Sequence, residues 1–220
     1  MPFCADPLQA LVAFAAQGER RMVCLVAEPG AGKTTLAAQL ERDVNERFPG
    51  ACRALSMDGF HLTRAQLDGG VAGRSPAECH RRRGAPWTFD GPGFAARLRA
   101  LKKGTGAVAW PAFDHAKKDP EEDAVVVEAT VTVVLVEGLY CLHRADGFEG
   151  CEGMFDLAWY LGTPFDLAHK RLVARHQAAW GISEEEAEKR ANENDGVNAL
   201  LVRASAKNAS GIVSSREGSQ

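Results

Sequence analysis

The run Arg21-Met-Val-Cys-Leu-Val-Ala27 is apolar from its second residue on, the pattern of a strand buried on both faces of a parallel sheet. A short amphipathic opening, Pro7 to Gln17, precedes it. Behind it Leu36, Leu40, Val44 and Phe48 recur every fourth residue, which predicts a helix from Lys33 that ends at Pro49-Gly50. The local order is therefore strand, glycine-rich loop, helix. A second strand is expected over Cys52–Met57 and stops at Asp58-Gly59-Phe60-His61, which puts an acid at a strand tip. Residues 62–89 show little clean period and hold Gly69-Gly70, Gly73 and Gly84-Ala85-Pro86. They read as an irregular or partly helical excursion, the kind of long connection that serves as a lid or binding loop. Asp90 caps an expected helix over Pro92–Lys103, with Gly104 past its end.

Residues 108–123 read as a short strand then a polar loop, and 125–128 as an edge strand. Thr130–Val136 is the most β-prone run of the chain and ends in Glu137-Gly138, a second acid at a strand tip. Another strand is expected over Leu157–Leu161, then Thr163-Pro164 and a basic helix over 165–177. Ser183 with Glu186 forms a capping box for the next helix. Val197, Leu200 and Leu201 mark a last helical stripe and Ile212-Val213 a final short strand. Strands alternating with helices argue for an α/β fold with a parallel sheet, in a single domain over 1–220.

Composition narrows the function classes. A chain of 220 residues, 45% hydrophobic and 25% charged, has ample length for one buried core with a small insertion. A net charge of -3 gives no electrostatic reason to expect a nucleic-acid or anionic-membrane partner. Arg81-Arg82-Arg83 is the one basic run; it reads more readily as a solvated face than as an attractor for an anionic acceptor. The six cysteines include no C-x-x-C pair, which argues against zinc or a disulfide framework and fits a reduced, cytoplasmic compartment. No leader pattern and no apolar run near membrane-spanning length is present, so a soluble, unprocessed protein is expected.

The candidate chemistry begins in AEPGAGKTT, residues 27–35, which fits G-x-x-x-x-G-K-[ST] except that Ala27 stands at the first glycine. Gly30 and Gly32 keep side chains away from the N–H groups of Gly30 to Thr34, which can then converge on a nucleotide's phosphates. The helix N-terminus at Lys33 adds a favourable dipole. In such a loop Lys33 would reach the β- and γ-phosphates of the nucleotide and the Thr34 hydroxyl would ligate Mg²⁺. Glu28, Pro29, Gly30, Ala31, Gly32, Lys33, Thr34 and Thr35 form the candidate nucleotide-binding segment. The competing reading is an ordinary strand-to-helix turn with a surface lysine, and the flanking strand and helix weigh against it. Ala27 lies at the strand end, where a negative φ is natural and a methyl group is tolerable.

Asp58 and Glu137 both project from strand C-termini, the edge where open α/β sheets hold their ligands. One such carboxylate can hold Mg²⁺ or its water, while the other accepts a proton from an attacking hydroxyl; alternatively each caps a turn. Arg171 and Arg175 lie one helical turn apart and can face the same phosphate oxygens, although arginines on a helix are commonly solvated.

Taken together, AEPGAGKTTLA, MDGFHL, RGAPWTFD, PAFDHAKKDP, VEGLYCL and HKRLVARH, in this order, resemble the uridine kinase-like P-loop kinases. That superfamily includes uridine kinase, phosphoribulokinase and bacterial pantothenate kinase. The similarity is greatest to the branch labelled fructose transport system kinase or nucleoside kinase-like protein, and it covers about residues 23–204. DGFH and GAPWTFD are its most specific pieces. The resemblance implies a three-layer P-loop fold with a five-stranded, mostly parallel sheet between helices and a mobile helical lid over about 163–195. The acceptor side would lie in the excursion over 58–123. It also implies phosphoryl transfer from ATP, with Mg²⁺, to a hydroxyl of a nucleoside-, pantothenate- or sugar-like metabolite.

By position, Lys33 and Thr34 match the phosphate loop, Asp58 the carboxylate after the second strand that in such kinases acts as catalytic base or metal partner, Glu137 the acid near Mg²⁺, and Arg171 and Arg175 the lid arginines. His115 stands where pantothenate kinases carry an acceptor-facing histidine, with Asp114 and Asp119 flanking it. As a loop histidine bonded to backbone it would have no such role, and both readings stay open. His61, Arg83 and Trp87 complete the candidate acceptor set. Trp87 can stack on an acceptor ring or plug a core, and Phe89 reads as a plug. The chain departs from the family at Ala27, and at His176, where uridine kinases usually carry Asp.

Two other classes compete. A GTPase switch needs N-K-x-D, which the chain lacks. A nucleotide-binding ATPase module without small-molecule kinase activity would carry the same loop. Neither nucleic acid nor a membrane is an expected partner, and a homodimer is compatible with the sequence.

Overall fold

The structure, a computed structural model, describes residues 2–214. Its strands are β1 (Arg21–Val26), β2 (Cys52–Ser56), β3 (Val108–Asp114), β4 (Asp119–Val127), β5 (Val133–Gly138), β6 (Leu157–Gly162) and β7 (Gly211–Ser214). Its α-helices are α1 (Pro7–Gln17), α2 (Lys33–Arg47), α3 (Arg64–Asp68), α4 (Pro76–Arg81), α5 (Gly91–Lys103), α6 (Phe165–Trp180), α7 (Glu184–Arg190) and α8 (Gly196–Ser205). Five strands build the central sheet in the order β2-β5-β1-β6-β7, every pair parallel. All five C-terminal ends thus lie along one edge, the edge on which both candidate acids sit.

The apolar runs divide by strand period. Met22, Cys24, Val26, Val134 and Val136 pack on one face with Phe94, Leu98 and Leu101 of α5. Val23, Leu25, Val133 and Leu135 pack on the other with Leu11 of α1 and Ala37, Leu40 and Val44 of α2. A sheet covered on both faces needs such unbroken apolar strands.

The excursion contains α3, α4 and a 3-10 turn over Pro86–Thr88. Thr63 and Ser75 cap α3 and α4, and Asp90 caps α5 by accepting from the Gly93 N–H. The largest difference from the sequence pattern is at residues 119–127. The expected polar loop and short edge strand are one strand, β4, paired antiparallel with β3 outside the main sheet. Residues 121–124 of β4 are exposed, so no apolar alternation marks them. The pairing shifts register between Trp110 and Ala112, around Pro111. Trp110 anchors this hairpin, fully buried and donating from Nε1 to the Ser56 carbonyl at 2.8 Å. Among the described residues no helix is long and apolar enough to cross a membrane.

Candidate active site

The glycine loop joins β1 to α2. Ala27 is fully buried and its φ is not positive, so its methyl group fills core space without strain. Gly30 and Gly32 have φ of 78° and 92°, the left-handed region that favours glycine. A Cβ at Gly30 would collide with the Ala168 carbonyl, so α6 lies directly on the loop. No side chain caps the N-terminus of α2 at Gly32, and its first N–H groups keep their capacity for an anion. The loop is pinned from β6 and α8. Thr163 Oγ1 donates to the Ala31 carbonyl at 2.9 Å, and buried Glu28 accepts from the Tyr160 hydroxyl at 2.9 Å and from Arg203 Nε at 2.6 Å. Lys33 is half-buried, and Thr34 and Thr35 are exposed at the start of α2.

Glu137 ends β5 in register with Leu25 of β1 and Ser56 of β2, and is only 3% exposed. Thr34 Oγ1 donates to Glu137 Oε1 at 3.1 Å. Glu137 Oε2 is buried without a hydrogen-bond partner among the described residues. Burial pushes the carboxyl above its usual range; Lys33 pulls it back down and Asp58 pushes it up. Lys33 and Asp58 thus both stand near enough for their charges to act on Glu137. Since the Thr34 proton is spent on Glu137, its oxygen lone pairs remain available to a cation. An orphaned carboxylate oxygen beside such a hydroxyl fits the oxygen-ligand preference of Mg²⁺.

Asp58 lies in a 3-10 turn over Met57–Phe60, where its N–H donates to Ser56 Oγ. Gly59 and Gly138 are demanded by packing. A Cβ at Gly59 would enter the Pro111 carbonyl, and one at Gly138 would enter the Met57 side chain. The glycines of the DGF and VEG sequences thus let the two acid-bearing turns close on their neighbours. His61 Nδ1 lies 2.8 Å from the Asp58 carbonyl, which only accepts, so Nδ1 carries the proton and Nε2 the lone pair. Burial lowers the His61 pKa, and the ring packs against Phe89 and Phe113 at 4.0 and 5.0 Å between centroids.

The remaining acceptor candidates are held mainly by each other. Arg83 donates to the carbonyls of Lys118 and Leu62 and to Asp119 Oδ1 at 2.6, 2.9 and 2.7 Å. Asp119 also accepts from the Arg64 N–H. The structure spends both side chains on joining the excursion to the hairpin. Trp87 is half-buried under the Arg74 guanidinium, 4.2 Å from its ring centroid. His115 is exposed near the hairpin turn, its ring 5.3 Å from that of Phe113. Arg171 and Arg175 are exposed on α6, and Arg171 Nη1 lies 3.6 Å from where a Gly32 Cβ would be. That places one guanidinium over the phosphate loop; Arg175 follows one turn later.

Several residues of this region went unnoticed in sequence. Thr88 is fully buried; its hydroxyl accepts from the Gly84 N–H and donates to the Ala85 carbonyl. The Tyr140 hydroxyl donates to the Gly84 carbonyl at 2.7 Å. GAPWT is therefore a braced turn, clamped from the VEGLY segment. Tyr160, Thr163 and Arg203 hold the loop from more than 130 residues away in sequence, and no local spacing points to them. His176, the departure from the family pattern, bonds through Nε2 to Asp195 Oδ2 at 2.8 Å, so a carboxylate meets this position from another helix.

A phosphate-ready loop on a central parallel strand, with a buried acid ending the adjacent strand, defines the chain as a P-loop kinase fold. A crystal structure from Silicibacter sp. TM1040, provisionally named a fructose transport system kinase, superposes with a TM-score of 0.80 at 29% identity. The match covers 96% of this chain and 100% of that one. No family model matches the sequence. A Schizosaccharomyces pombe protein provisionally named uridine kinase C227.14 is 35% identical over 188 residues, 84% of this chain and 78% of its own length. The ATP-dependent kinase-like protein notR' of Aspergillus versicolor is 40% identical over 124 residues, 54% of this chain and 70% of its own. The chain belongs to the uridine kinase-like P-loop kinases.

Proposed function

We propose that this protein transfers the γ-phosphoryl group of Mg-ATP to a hydroxyl of a nucleoside-, pantothenate- or sugar-like metabolite. The observation that carries the reading is the buried Glu137, with Oε2 unpartnered and Oε1 bonded to Thr34 beside the open N-terminus of α2. In this reading residues 58–123 form the acceptor side and 163–195 a lid within a single domain. Thr34 and Glu137 would hold Mg²⁺, which when bound neutralises charge on the phosphates. The N–H groups of Gly30 to Thr34 and the Lys33 ammonium orient the β- and γ-phosphates. Asp58 accepts the proton as the acceptor oxygen forms its bond to phosphorus. The bond from phosphorus to the β-phosphate oxygen breaks, and ADP leaves with that electron pair. Arg171 and Arg175 stabilise the charge spread over the transferring oxygens, so catalysis is positioning and electrostatics. His61, whose Nδ1 is held by the Asp58 carbonyl, would offer its Nε2 lone pair as a hydrogen-bond acceptor for the incoming alcohol.

ADP release from Mg-ATP, measured against a panel of nucleosides, pantothenate-like alcohols, vitamin alcohols and sugars, tests the reading. One acceptor should raise release far above the solvent background. Release that no acceptor changes would favour an ATPase or switch module instead.

A further inference from the structure

Arg82 lies at the end of α4, in the excursion, yet its guanidinium is bonded to residues more than 110 positions away in sequence. Nη1 donates to Asn194 Oδ1 at 2.7 Å and reaches the carbonyls of Asn194 and Glu193 at 3.3 and 3.4 Å. Nη2 donates to Asn198 Oδ1 at 3.3 Å. Asn194 returns a bond from Nδ2 to the Arg83 carbonyl at 3.1 Å. Both asparagines are buried, at 9% and 1% exposure, where an amide is retained only with partners. Asn194 sits in a single π turn, Ala191–Asp195, between α7 and α8, and such turns re-aim side chains at a cost in regular helix geometry.

The next residue, Asp195, accepts from His176 on α6, the helix that carries Arg171 and Arg175. A second link runs back from the hairpin. Arg83 holds the Lys118 carbonyl, and Lys118 Nζ lies 3.6 Å from the ring centroid of Trp180 at the end of α6. The Arg190 guanidinium covers the same ring at 4.6 Å. Excursion, hairpin and α6 thus form one closed ring of contacts.

We infer that Arg82, through Asn194 and Asn198, is a positioning residue that ties the acceptor-side excursion to the arginine-bearing helix, so that a nucleotide held by Arg171 and Arg175 also orders the acceptor side. The inference rests on the kinase reading above. It assigns a role to a residue that touches neither nucleotide nor phosphate loop, and to two asparagines far from it in sequence. The guanidinium reaches Asn194 from Nη1 and Asn198 from Nη2, and a lysine, with all its donors on one nitrogen, would not reproduce that planar two-nitrogen fork.

Amide hydrogen exchange on the full chain, with and without Mg-AMP-PNP, tests this on wild type, Arg82→Ala and Arg82→Lys, with Asn198→Ala as a milder variant should Arg82→Ala fold poorly. The nucleotide should slow exchange over 28–35 in every protein. Over 62–89 it should slow exchange in wild type by about tenfold and in the variants hardly at all. Equal slowing over 62–89 in wild type and variants, or slowing there in none, overturns the inference. No protection over 28–35 in any protein would contradict the kinase reading itself. The ring is then judged in the free proteins, where Arg82→Ala must speed exchange over 62–89 and over 191–198 together; acceleration confined to one of these segments overturns it.

Discussion

Replacing Glu137 by Gln would separate what this acid does for folding from the part proposed for it in holding the nucleotide. Burial raises its carboxyl above the ordinary 4.5, against the pull of Lys33. Between 4.5 and the raised value the folded state binds the proton that the unfolded state has already lost. Stability therefore falls as pH rises through that window and stays lower above it. Above that raised value the ligand-free protein carries a buried carboxylate with one oxygen unpartnered, a situation that costs about 1–3 kcal/mol. Gln keeps the acceptor that Thr34 uses and removes the charge, but brings an amide N–H₂ that also needs a partner. The low end applies, so the variant gains about 1 kcal/mol, or roughly 2–4 °C in Tm for a chain of this size.

Mg-ATP reverses the order. At a hundredfold excess over Kd the wild type gains about 2.7 kcal/mol, or roughly 5–10 °C, and the variant should lose most of that shift together with its turnover. Differential scanning fluorimetry at pH 7.5, with and without Mg-ATP, reads both effects. A pH series from 5 to 8 without ligand should show the wild type's downward slope reduced in the variant. A variant that melts below wild type without ligand would make Glu137 a structural carboxylate, and an unchanged Mg-ATP shift would remove it from the nucleotide site.

In the proposed reading Arg171→Ala should lower kcat by about 10²–10³-fold and weaken nucleotide binding by about tenfold, because the guanidinium would hold the bound phosphates and serve more strongly the charge that develops during transfer; steady-state kinetics beside nucleotide titration separates the two. Thr88→Val removes a fully buried hydroxyl that partners the Gly84 N–H and the Ala85 carbonyl. It should cost about 1–3 kcal/mol in urea unfolding, and a change under a few tenths would mean that the braced turn is not needed for stability. For His61, burial lowers the folded pKa below the ordinary 6.5. As pH falls through 6.5 the unfolded chain takes a proton that the folded chain refuses, so wild type loses stability toward pH 5. His61→Asn should lose less over the same range, and parallel curves for the two proteins would refute the assignment.

The parts legible in sequence were those whose signals lie within a few residues of one another. β1, the glycine loop and α2 follow one another without a gap, and an apolar run, two glycines and a four-residue period are each local. The two acids were legible because a strand's end and a turn's start are adjacent in the chain. β4 was not, because Asp119–Asp123 form a strand outside the main sheet with residues 121–124 open to water. That removes the alternation by which a half-buried strand is recognised.

The arginine run shows the same limit in the site. Arg81, Arg82 and Arg83 are identical in composition and adjacent in sequence, yet Arg81 is exposed, Arg82 ends on asparagines 112 and 116 residues away, and Arg83 ends on an aspartate 36 residues away. Charge patterning favours a solvated face for all three, since a partner so distant leaves no mark in any local window. In this fold the candidate loop and the two acids proposed for the phosphate site stand at strand tips and can be read in order along the chain. The groups that hold them in place, Tyr160 and Arg203 on Glu28, Tyr140 on Gly84, Asn194 and Asn198 on Arg82, come from remote segments. A motif search is therefore sensitive to losing the first group and blind to losing the second. Two chains with the same AEPGAGKTT, DGFH and VEG segments can then differ in activity through residues that no motif contains.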